Sequence, residues 1–171
     1  MHKTVDVGVA KQIGSYSDAI ETAPNLRWLY TAGTPGLGVD GKLPPDVTGQ
    51  AELAWTHIVA MLEKANMNVH DLVKVTHYLL RAEDIPDYVK VRSRFLGTAR
   101  PASMLLIVPG LVRPEFLLEV EAIAAKVSRG RPTSSRLTPR ARAWDATAST
   151  SSAPTPRLRQ APSTQRSWMV A

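Results

Sequence analysis

The sequence predicts an α+β fold, a mixed sheet with two helices on one face. Two segments repeat apolar residues at helical spacing, and several others alternate in period two or run through β-branched and aromatic residues. Their order is strand–strand–helix–strand–helix–strand–strand. Helices that fall between strands cover a sheet, and two of them cover one face of it. The 171 residues are enough to bury such a core without disulfides.

The first strand is 26–31 (LRWLYT), with Leu26, Trp28 and Tyr30 on one side and Arg27, Leu29 and Thr31 on the other. Ala32 to Gly36 ends it in a loop. Asp40-Gly41 is a turn signal before a short return strand. The first helix is predicted over 47–65. Asp46 or Thr48 caps it, and Ala51, Trp55, Ile58, Leu62 and Ala65 form one apolar stripe. Asn66 suits the left-handed position that follows a helix. Residues 72–80 (LVKVTHYLL) read as a strand.

The second helix starts at Asp84. Asp84 and Asp87 are spaced like a capping box, Pro86 sits in the first turn, and Gly97 ends the helix. Tyr88, Val91 and Phe95 face the core. Residues 102–108 and 116–124 supply the closing strands. The uncovered sheet face is assigned Leu29, Leu105, Ile107 and Leu117. That much exposed apolar surface calls for oligomerisation.

Composition divides the chain into a domain over 1–127 and a tail over 128–171. The tail is built from Arg, Ser, Thr, Pro and Ala, with no lysine and no apolar periodicity, and reads as disordered. It holds eight arginines and one acid, Asp145, so it carries +7 of a net +6 and leaves −1 for the domain. Nucleic-acid binding is therefore not expected of the folded part. The tail reads as an unselected extension, with an arginine-rich arm or a partner motif around Trp168 as the alternatives. Cysteine is absent, no apolar run approaches a membrane span, and the first residues lack a signal-peptide core. A cytoplasmic protein without membrane attachment is expected.

Phosphate-binding glycine loops, nucleophile elbows and zinc spacings are absent; Gly36 and Gly38 belong to a plain loop. His2, His57, His70 and His77 are far apart in sequence and read as structural or surface residues, so neither metal nor cofactor is expected. The last strand differs. Leu117, Glu119, Glu121 and Ile123 share one face, and two carboxylates on a largely buried strand need a wet cleft or a cation. Acid–base or water-positioning chemistry fits them, as does a salt bridge across a subunit interface.

Four segments resemble one family. IGSYSDAI (13–20), YTAGTPG (30–36), LEKANMNVHDLVKVTHYL (62–79) and RPASMLLIVPGLVRPEFLLEVEAIA (100–124) are similar, in unbroken order, to the IGPYSQA, TSGQIP, LEAAG…DVVK and PARS…VEIEAIA segments of the RidA/YjgF (endoribonuclease L-PSP) family. The resemblance implies a chorismate-mutase-like subunit and a homotrimer with three inter-subunit clefts that take small carboxylic acids. Its best-known members hydrolyse enamines and imines such as 2-aminoacrylate to keto acids and ammonia. By this resemblance Glu119 positions the attacking water, while Tyr16 matches the tyrosine of the N-terminal segment and Gly33 the glycine of the TSGQ loop, both expected to bind substrate. The arginine that holds the substrate carboxylate is replaced by Ser103, and the adjacent helix asparagine by Arg92.

A lost charge-assisted pair costs roughly 2–5 kcal/mol in binding, so ordinary 2-aminoacrylate deamination is not expected. Arg92 or Arg100 could supply a displaced guanidinium. Three readings follow from the resemblance. One is a hydrolase of a small imine, enamine or related C–N compound. Another is a metabolite-binding or partner-docking trimer without chemistry. The third, disfavoured by the neutral domain, is an endoribonuclease.

Overall fold

The computed structural model describes residues 2–128. The expected disordered tail, apart from Ser128, lies outside the described residues.

Strand β1 (Lys3–Val5), the short helix α1 (Ala10–Ile13) and β2 (Ala19–Glu21) come first; β1 and β2 pair antiparallel. Then follow β3 (Leu26–Tyr30), β4 (Thr34–Pro35), α2 (Val47–Lys64), β5 (Leu72–Leu79), α3 (Ile85–Leu96), β6 (Ala102–Ile107) and β7 (Leu118–Val127). The main sheet has the order β3-β7-β5-β6, with β4 also paired to β7. Strands β5 and β6 are parallel, because α3 carries the chain back across the sheet; the other pairs are antiparallel. The sheet is therefore mixed.

Helix α2 begins where expected: the Asp46 carboxylate accepts from Gly49 N at 2.8 Å. Its stripe of Ala51, Trp55, Ile58 and Leu62 is fully buried against Val75, Leu79, Leu118 and Val120 of the sheet. Truncating a buried aromatic of this kind costs about 3–5 kcal/mol, so Trp55 alone matters on the scale of the whole stability. Asn66 does take the left-handed conformation after the helix, with φ 54°.

Four expectations are corrected. Residues 3–5 and 19–21 make a hairpin where no strand was expected. The Asp40-Gly41 turn is real, with Gly41 at φ +79° and Gly38 N donating to Lys42 O, but it closes on itself. No return strand follows it; the short strand in this region is β4, before the turn. Asp84 does not cap α3. A 3₁₀ turn over Ala82–Asp84 runs into the helix, and the Asp84 carboxylate instead receives the Arg81 fork at 2.8 and 3.0 Å.

The fourth correction concerns the faces of the sheet. Leu29 and Leu105 pack on the helix-side core, not on the open face. Leu105 sits opposite His77, which the helices cover. The open face carries Trp28, Tyr30, Met104 and Leu106 instead, together with Glu119 and Glu121. Trp28 and Tyr30 stack on each other at 6.2 Å between ring centroids.

Candidate functional site

Strand alternation places Glu119 on the open face, because its neighbours Leu118 and Val120 are fully buried under the helices. It stands opposite Tyr78 of β5 on one side and Pro35 of β4 on the other. The β3–β4 loop passes so close that a Cβ on Gly33 would lie 2.6 Å from Glu119 Oε2. Only glycine leaves room for the carboxylate there. Glu121, one pleat along, is 3.5 Å from the Tyr78 hydroxyl. Gly33 and Glu119 thus form one group.

Tyr16, Arg92 and Ser103 form a second. Ser17 bridges to Ala102, with its hydroxyl donating to Arg100 O at 2.6 Å and its N–H to Pro101 O at 3.2 Å. This pins the Tyr16 segment beside the start of β6. Arg92, one turn after Tyr88 on α3, is 7% exposed and lies close enough to Tyr16, Tyr88 and His77 for the charges to interact. Burial lowers its pKa from the ordinary arginine value. Ser103 points to the helix side, where its Oγ is 3.1 Å from His77 Nε2. Within the one chain the two groups occupy opposite faces of the sheet.

A buried polar chain ends at Ser103. Trp55 Nε1 can only donate, and it donates to the Tyr88 hydroxyl at 3.3 Å. The Tyr88 hydroxyl also contacts His77 Nδ1. Its own proton therefore goes to Nδ1, which leaves His77 with its hydrogen on Nε2, donating to Ser103 Oγ. Burial, with the Arg92 charge nearby, pushes the His77 pKa down to about 3, and burial pushes the Tyr88 phenol up. His77 is a neutral donor here. It cannot take a proton from Ser103, so the pair is not a nucleophile and its base. It orients the Ser103 hydroxyl, whose own proton is free to point to a ligand.

The sequence reading missed this chain and the burial of Arg92. Both had a signal. His77 shares a strand face with Val75 and Leu79, and Arg92 follows Tyr88 by one helical turn. His57 holds structure, with Nε2 2.8 Å from Leu37 O. Among the described residues no three acidic, histidine or cysteine side chains gather as a metal site. No described helix is long and apolar enough to cross a membrane.

A two-layer domain with an open carboxylate-bearing sheet face is the class of protein that this fold and these two groups define. The endoribonuclease L-PSP family model matches residues 9–126, and the chain belongs to that family, which is the RidA/YjgF family. A RutC family protein of Pyrococcus horikoshii is 32% identical over 120 residues, covering 68% of this chain and 90% of the relative. TdcF of Escherichia coli, whose name places it with reactive intermediate deaminases, is 26% identical over 118 residues, covering 67% and 88%. The crystal structure of E. coli TdcF with bound serine matches at TM-score 0.56 and 25% identity, covering 67% of this chain and 90% of TdcF. A Rid-family protein of Yersinia pestis, YyfB, shares the fold at TM-score 0.65 and 20% identity, covering 73% and 98%.

Proposed function

We propose that this protein binds a small metabolite in clefts between the subunits of a cytoplasmic homotrimer and hydrolyses the C–N bond of an imine or enamine there. The observation that carries this reading is the Glu119 carboxylate, held against Gly33 on a sheet face that the helices leave open. Because Gly33–Glu119 and Tyr16–Arg92–Ser103 lie on opposite faces within one subunit, a single cleft that uses both needs two subunits. A relative named for reactive intermediate deamination, and its structure with a bound amino acid, support the same chemistry.

In the proposed reaction Glu119 accepts a proton from water as the oxygen adds to the C=N carbon. The nitrogen takes that proton to give a carbinolamine; the hydroxyl proton then passes to the nitrogen as the C–N bond breaks, so that ammonia leaves and a carbonyl remains. The oriented Ser103 hydroxyl contributes one neutral hydrogen bond where the better-known members place a guanidinium. Hydrolysis of 2-aminoacrylate is accordingly slow, since no guanidinium on β6 holds its carboxylate in register with the water.

The test is keto-acid release from imines that an amino-acid oxidase generates in situ, with 2-aminoacrylate run in parallel. Acceleration by the native protein, lost in Glu119→Ala, is the expected result. No acceleration with any imine removes the hydrolase reading. A trimer that binds a metabolite without chemistry then stands in its place, a second reading that the uncharged Ser103 favours. RNA cleavage gains no support from a domain with net charge −1.

A further inference from the structure

Arg92 is an unusual charge to bury. It is 7% exposed, yet its Nε has no hydrogen-bond partner among the described residues. The acids on or against α3 are engaged elsewhere: Asp84 with Arg81, Asp87 with Lys90 and Glu52 with Arg94. The groups that share its electrostatic surroundings are Arg100 and the phenols of Tyr88 and Tyr16. Burying an uncompensated guanidinium is costly, and a leucine or methionine at this core-facing helix position would avoid that cost.

Arg92 also lines a small cavity, about 70 Å³, with Ser15, Ser93, Leu96, Gly97 and Arg100. No acid lines it. One nitrogen of Arg100 donates to Gly97 O at 2.7 Å and Ala99 O at 2.8 Å, which fixes that guanidinium at the rim and leaves its other nitrogens for a ligand. Two cations, two hydroxyls and an apolar wall around a space the size of one functional group form an anion socket. The planar fork of arginine matches a planar carboxylate.

We propose that this cavity is a carboxylate site, in which Arg92 and Arg100 hold the acid group of the metabolite that the cleft binds. Resting on the cleft reading above, it moves the guanidinium from strand β6, where Ser103 stands, to helix α3 and its exit. An anion there relieves both the missing partner of Arg92 and its repulsion with Arg100.

Calorimetric titration of the full chain with pyruvate tests the site. Saturable binding is expected, weakened about tenfold or more in Arg92→Gln and several-fold in Arg100→Gln, as befits lost charge-assisted hydrogen bonds. Methyl pyruvate, which lacks the charge, should not bind measurably. Arg92→Gln should melt at or above the native temperature, because it removes an unpaired buried charge. If that variant does not fold, Arg100→Gln, which is exposed, carries the test alone. Unchanged pyruvate affinity in both variants overturns the proposal, as does the absence of saturable binding to the native protein. Inorganic phosphate binding more tightly than pyruvate overturns the carboxylate assignment. The two readings separate cleanly. Arg92-dependent pyruvate binding without any imine hydrolysis removes the hydrolase and keeps the site. Glu119-dependent hydrolysis with KM unchanged in Arg92→Gln removes the site and keeps the hydrolase.

Discussion

Glu119 rests on Gly33: a methyl group built on that glycine would come within 2.6 Å of the carboxylate oxygen Oε2. What such a methyl meets is the end of a flexible side chain. Gly36 differs, because a Cβ there would collide with the backbone of Gln50 in α2, which cannot swing away.

Gly33→Ala should therefore displace the carboxylate and spare the fold. Its urea midpoint should stay close to native while Glu119-dependent keto-acid release falls on the order of 100-fold, the scale of a misplaced catalytic group. Gly36→Ala should lose about 1–3 kcal/mol, as expected of overpacking. Equal activity in native protein and Gly33→Ala would show that the Glu119 position does not matter.

His77 makes stability pH-dependent, with a definite sign. The unfolded chain protonates this residue near its ordinary pKa of 6.5, whereas the native state stays neutral down to about 3. Between those values the unfolded state binds more protons, so stability falls as pH drops below 6.5. From pH 6.5 to pH 5 the loss is roughly 2 kcal/mol from this one group. Urea melts across that range should show it, and His77→Gln, though less stable at pH 7, should show a shallower dependence. In two-bond ¹H–¹⁵N spectra at pH 6, His77 should be the neutral tautomer protonated on Nε2. A tautomer protonated on Nδ1 would reverse the hydrogen-bond direction deduced from Trp55.

The elements that could be read from sequence are those in which one strong period sets the burial. Helix α2 shows its stripe and its Asp46 cap, and β5, α3, β6 and β7 all form where their patterns place them. Period two, however, sorts a strand into two faces without saying which face turns inward. Leu29 and Leu105 were assigned to the wrong side for that reason. The β1–β2 hairpin escaped notice because its strands are three residues long and mostly exposed, with no alternation to find. The polar interior is the other blind spot. Gln50 is 1% exposed because its amide donates to Pro44 O and Glu115 O and accepts from Leu117 N, a fit that only the folded chain creates.

The open sheet face bears on assembly. Trp28, Tyr30, Met104 and Leu106 are 43, 67, 49 and 38% exposed on one subunit, more apolar side chain than a monomer usually leaves in one place. Sedimentation velocity should give a mass near three subunits. Leu106→Asp, which puts a charge into that face, should shift the population to smaller species. A native mass near one subunit would refute the trimer and with it the shared cleft.

Removing the tail should change the behaviour of the protein in ion exchange and leave its stability alone. The family match ends at residue 126, and the last buried core residue among those described is Ala125. Residues beyond 128 add arginine, serine, threonine and proline, which supply little apolar surface for a core. A chain truncated after Ser128 should therefore melt within a degree or so of the full chain, since changes away from packed features have small effects. Its net charge falls from +6 to −1, because the eight arginines and Asp145 leave with the tail. The full chain should consequently bind heparin at low salt and elute as salt rises, while the truncated chain should pass through. A large drop in melting temperature on truncation would mean that the tail packs on the domain. Heparin retention of the truncated chain would instead place a basic surface on the domain itself, and would reopen the question of nucleic-acid binding.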